Sequence, residues 1–297
     1  MTSDEELEHV DIWHFPMMND TVRNTAYETA LGSALKNGGI VLDIGSGSGL
    51  LAMMAIRQGA SRVITCEAIP MIARKAIEII RRNGLEDRIQ VINKKSTDLV
   101  VGQDFPEHAD VLVTEIFDDG LLGEFAFAAI GHARKNLLKP GAQLIPTGVR
   151  VMAMAIESKE IFQNHRVYQA AGFDVSAFNE FSSVGYYGYH LAKMAYKPMS
   201  APKLVFEFDF KNLPGNEKIP FNLEAIDSGT CHAIAYWFQL KLDDSITIST
   251  MPGLPQLSCW KQAVQLMESP ERLTKGNTLK LFAHHDSEAL WFSHNPV

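Results

Sequence analysis

Four acidic residues fall within ten positions, in the run Glu115-Ile116-Phe117-Asp118-Asp119-Gly120-Leu121-Leu122-Gly123-Glu124. They follow the apolar segment Val111-Leu112-Val113-Thr114, so a cluster of negative charge sits where a strand hands over to a loop. One reading of such a loop is a solvated turn. The other is a carboxylate pair built to face a cation. A guanidinium is a cation that needs one: its pKa lies above ~12, its lone pairs are delocalised, and it is a poor nucleophile. Two carboxylates can grip two of its nitrogens in a fork, offset a second positive charge brought near it, and localise electron density on the attacking nitrogen. Glu115 and Glu124, nine positions apart across a loop with two glycines, are the candidates, with Asp119 beside them.

A second group of residues could supply that second positive charge. Val41-Leu42-Asp43-Ile44-Gly45-Ser46-Gly47-Ser48-Gly49-Leu50-Leu51 reads as a buried strand entering a glycine turn and then a helix. Glycines suit a backbone that must turn sharply and approach a ligand at a helix N-terminus. A dinucleotide fingerprint would need glycine at position 50, where Leu50 stands, so nicotinamide and flavin dinucleotides are disfavoured. Gly45, Gly47 and Gly49 with Asp43 ahead of them suit the amino-acid end of S-adenosylmethionine. Glu67, 22 positions after Gly45, stands where a carboxylate accepts from both ribose hydroxyls. Ser96 and Thr97 follow the third strand, where a loop could reach an adenine ring. A glycine turn that serves only strand-to-helix packing, and a plain turn at Ser96 and Thr97, are the other readings.

The elements that must position these residues follow from periodicity. Short apolar runs at 40–44, 62–67, 89–93, 111–115 and 143–146 alternate with amphipathic stretches at 50–58, 71–83 and 125–137. That is the pattern of consecutive βα units around a parallel, Rossmann-like sheet. Lys139-Pro140-Gly141 is expected to stop the last helix. Beyond Pro146 the texture changes to period-two runs at 151–156, 204–210, 232–242 and 278–284, which predict an antiparallel barrel-like or sandwich unit. Two domains are therefore expected, 1–146 and 147–297, with an aromatic excursion over 161–197.

Composition narrows the remaining classes. With 46% hydrophobic and 21% charged residues the chain is ordinary globular protein, and no apolar run approaches the ~20 residues of a membrane span. A formal charge of -8 argues against non-specific nucleic-acid binding and favours cationic partners. The acidic start has no signal-peptide pattern, and Cys66, Cys231 and Cys259 form no disulfide or zinc spacing, so a cytoplasmic chain with reduced thiols is expected. His284-His285-Asp286 has no ligand spacing, and no metal is expected there.

Taken together these residues resemble the protein arginine N-methyltransferases, over essentially the whole chain. The opening Trp13-His14-Phe15-Pro16-Met17-Met18-Asn19-Asp20-Thr21-Val22-Arg23-Asn24 is similar to that family's N-terminal cofactor lid, most closely in the type II and III members that carry two tandem repeats. The resemblance implies that Arg23 holds the cofactor carboxylate, and that His14 and Met17 lie near its methionine and sulfonium end. It implies that Glu115 and Glu124 are the family's double-E pair. Phe117-Asp118 replaces the Met-Gly common in the main branch. Ser258-Cys259-Trp260 stands where most members have a Thr-His-Trp loop facing the pair, with Cys259 in place of the histidine. One nucleotide motif and an end at Val297 imply a single-repeat form, in which segment 161–197 serves as a dimerisation arm of a homodimer. The activity implied is methyl transfer from S-adenosylmethionine to an arginine of a protein or peptide. A free guanidino compound, another small-molecule acceptor and a non-catalytic cofactor-binding module are the alternatives.

The cofactor expectation is checked by calorimetry: S-adenosylhomocysteine should bind and NAD should give no heat. Glu67→Ala should weaken binding by about 1.5–3 kcal/mol, the range for a hydrogen bond to a charged group. An unchanged affinity removes the ribose contact.

Overall fold

The computed structural model describes residues 14–182, 185–254 and 259–294. It opens with two helices, α1 (His14–Asn19) and α2 (Thr21–Ala34), broken by Asp20, whose side chain accepts from Arg23 N at 2.9 Å and caps α2. Trp13 lies outside the described residues. Then β1 (Ile40–Ile44), α3 (Leu50–Arg57), β2 (Arg62–Cys66), α4 (Pro70–Arg82), β3 (Ile89–Ile92), β4 (Ala109–Thr114), α5 (Ala126–Asn136) and β5 (Leu138–Ile145) follow in turn.

Every strand pairing in this part is parallel, in the order β3-β2-β1-β4-β5. The chain adds β2 and β3 on one side of β1 and then crosses to add β4 and β5 on the other. Between β1 and β4 lies the topological switch point, where a doubly wound sheet opens a crevice at its carboxyl edge. The register decides what stands there: Ile44 pairs with both Cys66 and Thr114. The residues that follow, Gly45, Glu67 and Glu115, therefore emerge level from three adjacent strands.

One expectation fails in detail. Lys139-Pro140-Gly141 does not follow a helix as its stop; α5 already ends at Asn136, and the tripeptide lies within β5, which starts at Leu138 rather than at 143. The pairing to β4 skips from Leu138 to Gln143, so the prolyl and glycyl residues bulge out where no ladder hydrogen bond is needed.

The second part is antiparallel. It contains β6 (Gly148–Glu157), α6 (Lys159–Asn164), the small hairpin β7 (Gln169–Ala170) and β8 (Phe173–Asp174), β9 (Tyr187–Tyr189), β10 (Lys197–Pro198), β11 (Lys203–Asp209), β12 (Glu217–Glu224), β13 (Gly229–Lys241), β14 (Thr247–Ser249), β15 (Gln262–Leu273), β16 (Thr278–His285) and β17 (Leu290–Ser293). The long β13 sits at the centre of a seven-stranded sheet, order β10-β6-β13-β15-β9, to which β11 and β14 add. A three-stranded sheet, β12-β16-β17, is tied to it by Tyr236 Oη donating to Leu290 O and by Gln265 pairing with both backbone groups of Phe292. The result is a barrel-like unit. Strand β15 escapes sequence reading because Glu268-Ser269-Pro270 interrupts its pattern. The register jumps from Leu266 to Glu271 there, which places the proline in a bulge.

The two parts share one continuous apolar core. Phe127 on α5 meets Phe208 edge-on at 4.9 Å, and Phe117, from the loop after β4, stacks on Phe210 at 5.9 Å. A smaller core under α6 gathers Ile156, Ile161, Phe162, Leu191 and Trp237. Further out on 161–197, Phe173, Phe178 and Phe181 are 71%, 67% and 80% exposed, values that single out this segment as an apolar surface.

Because the core is shared, the helical and barrel parts should unfold together. Far-UV circular dichroism weights the helices of the first part, and Trp237, Trp260 and Trp291 report on the second. Their denaturant midpoints should coincide, and Phe127→Ala should lower stability by about 3–5 kcal/mol on both probes. Two separated transitions would refute the shared core.

Candidate active site

The glycine turn after β1 needs backbone that side chains disfavour. Gly45, Gly47 and Gly49 have φ of 86°, 51° and 78°, and a Cβ on Gly45 would lie 2.6 Å from Ile116 Cγ2. Gly49 caps α3 in the left-handed conformation. Gly47 N donates to Glu67 Oε2 at 3.1 Å and Ile69 N to Oε1 at 3.0 Å, so two backbone groups orient the Glu67 carboxylate while each oxygen keeps a further lone pair. Beneath the turn Asp43 is fully buried, with Oδ2 accepting from Thr65 Oγ1 at 2.8 Å. Its Oδ1, like Ser46 Oγ, is buried without a hydrogen-bond partner. Burial pushes the Asp43 carboxyl up to about 7, against the Thr65 hydrogen bond. Buried polar atoms without partners are uncommon and point to a ligand.

These groups border a cavity of about 630 Å³. His14, Met17, Arg23, Gly45, Gly47, Glu67, Ser96, Thr97, Glu115 and Glu124 all line it. The expected cofactor and carboxylate residues thus converge from α1, α2, the ends of β1, β2 and β4, and the short turn of 3-10 helix at Ser96–Asp98. Asp43 and Gly49 lie behind the lining. Asp119, Cys259 and Trp260 stand outside it, and Ser258 falls outside the described residues.

Arg23 and Glu115, expected in separate roles, meet in the structure. Both side chains are buried, Arg23 Nε donates to Glu115 Oε2 at 3.1 Å, and Nη2 closes a second, shorter bond to the same oxygen. The guanidinium also donates to Asn24 Oδ1 at 2.7 Å and stands over the Tyr27 ring. Burial pushes the Glu115 carboxyl up, and the Arg23 charge opposes that shift.

The loop from Glu115 to Glu124 is held from the barrel side. Trp260, 5% exposed, donates from Nε1 to Phe117 O at 2.8 Å, and Lys261 N donates to Asp119 Oδ1 at 2.7 Å. Burial raises the Asp119 carboxyl. The Cys259 thiol hydrogen-bonds to Asp20, and its pKa is pushed up by burial and then by the Asp20 and Glu115 charges, so it stands as a neutral donor. Sequence reasoning missed Asp20, Tyr27 and Lys261 here. Only Asp20 left a trace, as an acid directly before a helix.

His284 and His285 project to opposite sides of β16. His284 stacks on Trp291 and bonds Ser293 Oγ at 2.8 Å, while His285 is buried among Phe127, Phe206 and Phe208. The described residues hold no grouping of three side chains suited to a metal ion.

Comparison with known proteins identifies the family. The family model described as ribosomal protein L11 methyltransferase matches residues 27–173, and the one described as the arginine methyltransferase oligomerization subdomain matches residues 150–295. An arginine N(omega)-methyltransferase of Streptomyces achromogenes subsp. streptozoticus is 41% identical, over 92% of this chain and 76% of its own length. Protein arginine N-methyltransferase 9 of Mus musculus is 32% identical over 88% of this chain, which spans 35% of that protein. Protein arginine N-methyltransferase 7 of Drosophila grimshawi is also 32% identical, over 93% of this chain and 46% of its own length. The Trypanosoma brucei PRMT1 enzyme-prozyme heterotetrameric complex with AdoHcy shares the fold with a TM-score of 0.80, at 24% identity, over 91% of this chain and 86% of that one. With a parallel methyltransferase sheet, a barrel-like second part and these relatives, the chain belongs to the arginine N-methyltransferase family, enzymes that transfer a methyl group from S-adenosylmethionine to a guanidinium nitrogen of arginine.

Proposed function

We propose that Glu115 and Glu124 grip the guanidinium of an arginine in a protein or peptide, within the cavity that also takes the cofactor. The observation that carries this reading is their convergence: both carboxylates line one cavity with Glu67 and the glycine turn. The orphaned Asp43 Oδ1 and Ser46 Oγ, and the absence of any atom within 4 Å of a Cβ on Gly47, fit a polar ligand laid on the turn. Bound there, S-adenosylmethionine supplies an electrophilic methyl on a sulfonium. Glu67 accepts from its ribose, Arg23 lies at its carboxylate, and His14 and Met17 flank its methionine end. Ser96 and Thr97 face its base.

Glu115 enters the reaction held as a carboxylate by Arg23, while Glu124 reaches the same cavity from the other end of the loop. Together they orient the guanidinium and stabilise the charge that builds as its nitrogen attacks. Residues 1–146 then hold the cofactor and carry the carboxylate pair, and 147–297 complete the substrate side, with Asp119, Cys259 and Trp260 bracing the loop between the two glutamates. The exposed Phe173, Phe178 and Phe181 support a homodimer formed through segment 161–197 in a cytoplasmic enzyme. A free guanidino acceptor is the second reading. It is favoured by the name of the Streptomyces relative, which specifies arginine without specifying protein.

Mass spectrometry after incubation with labelled cofactor, offering both a peptide and free L-arginine, identifies the acceptor. Glu115→Gln and Glu124→Gln should each lower kcat by at least about 10²-fold, with losses that do not multiply in the double variant. Glu115→Gln should also lower the melting temperature, because Arg23 loses its charged partner. Wild-type rates in both single variants would end the guanidinium reading.

Asp43 yields a pH prediction. Its folded-state pKa of about 7 lies above the unfolded value of ~3.9, so the folded chain binds the extra proton and stability falls as pH rises through that window. Asp43→Asn should raise the melting temperature at pH 8 and leave it unchanged near pH 3, while weakening cofactor binding. Equal effects at both pH values would contradict the buried carboxyl.

Light scattering tests the assembly. The wild type should run as a dimer, and a Phe173→Glu, Phe178→Glu, Phe181→Glu variant as a monomer with low activity.

A further inference from the structure

The loop between Glu115 and Glu124 has a shape that its own sequence disfavours. Leu121 within it and Phe125 directly after Glu124, neither of them glycine, adopt left-handed backbone with φ of 82° and 59°. Such residues keep that conformation only where surrounding contacts over-determine it. The contacts centre on Asp118. Its Oδ1 accepts from Gly123 N at 3.1 Å, which ties the start of the loop to the residue before Glu124. Its Oδ2 accepts a short hydrogen bond from Tyr186 Oη. Neither Gly123 nor Gly120 has room for a side chain: a Cβ on Gly123 would collide with Asp118, and one on Gly120 with the Tyr186 ring.

Tyr186 is itself anchored. Its ring meets Tyr236 edge-on at 5.9 Å, and Tyr236 is buried and bonded to Leu290 O. It leads directly into β9, whose three residues pair with Gln262, Ala263 and Val264 of β15. The phenol is thus fixed by the barrel and not by the loop it touches. Burial, and then the Asp118 charge, raise its pKa far above the ordinary range, so it acts as a donor.

We infer that Tyr186 is a positioning residue for the carboxylate pair: its hydroxyl fixes Asp118, Asp118 fixes Gly123, and the spacing of Glu124 from Glu115 is set through that chain. The inference rests on the reading of Glu115 and Glu124 as the guanidinium grip. It also gives segment 161–197 a second task. The stretch that carries the exposed Phe178 and Phe181 returns to the barrel at Tyr186, so the segment proposed to meet a second subunit also sets a ring against the loop between Glu115 and Glu124.

Steady-state kinetics test it, with S-adenosylmethionine, an arginine-bearing peptide, and free L-arginine as second acceptor. Tyr186→Phe keeps the ring and removes one hydroxyl. It should lower kcat at least about tenfold, as small misplacements of reacting groups do, while both KM values, S-adenosylhomocysteine affinity and melting temperature stay at wild-type values. Asp118→Ala should lower kcat similarly, and the double variant should be no slower than Asp118→Ala alone, because both changes break one chain of contacts. A wild-type kcat in Tyr186→Phe overturns the inference, and so do losses that multiply in the double variant. Glu124→Gln, run alongside, separates the two readings. If it is slow while Tyr186→Phe is normal, only the role of Tyr186 falls; if Glu124→Gln turns over at the wild-type rate, the grip itself falls.

Discussion

A guanidinium and a carboxylate buried against each other hold this site together. Arg23 comes from the second helix and Glu115 from the end of the fourth strand, and their side chains are 3% and 5% exposed. Desolvating either charge alone would be prohibitive, and the pair persists because each ion has further support. Arg23 also donates to Asn24 and stands over Tyr27, whose hydroxyl donates to Thr114 O, one residue before Glu115. The same contact therefore seats the N-terminal helices on the sheet, closes one wall of the cavity, and favours an ionised Glu115. Removing either ion would leave the other buried without its counter-charge, so fold and site share this constraint.

Around that pair the labour is split between two kinds of structure. The parallel sheet supplies level strand ends, and its register brings Gly45, Glu67 and Glu115 side by side with no long-range design beyond strand order. The loop that leads to Glu124 has no such template. It carries the left-handed Leu121 and two glycines crowded by neighbours, is followed at once by the left-handed Phe125, and has its geometry imposed from the barrel by Trp260, Lys261 and Tyr186. A carboxylate pair proposed to hold a planar fork needs rigid spacing, and these contacts from the barrel supply it.

Cys259 ties the barrel to the N-terminal helices. A thiol there donates to Asp20, the cap of the helix that carries Arg23, so the loop after β14 is tied to the helix behind the ion pair. Its raised pKa keeps the proton on sulfur and so preserves that donor.

The order of strands and helices around the parallel sheet, the strands β6, β11, β13 and β16 of the second part, and the glycine turn were legible in the sequence, and Asp43, Glu67, Glu115 and Glu124 could be named as candidates from it. Each rests on local physics: hydrophobic period, backbone that only glycine adopts readily, and short spacing within one chain segment. Where local signals misled, a bulge was the cause, as at Lys139-Pro140-Gly141 and across Pro270. What the tertiary structure alone decided is who meets whom across the chain. Arg23 finds Glu115 over 92 positions, Asp118 finds Tyr186 over 68, and Trp260 finds Phe117 over 143. No periodicity or propensity encodes such pairs, because an ion pair or a buried hydrogen bond is selected by desolvation and geometry only after the sheet and barrel have brought its partners together.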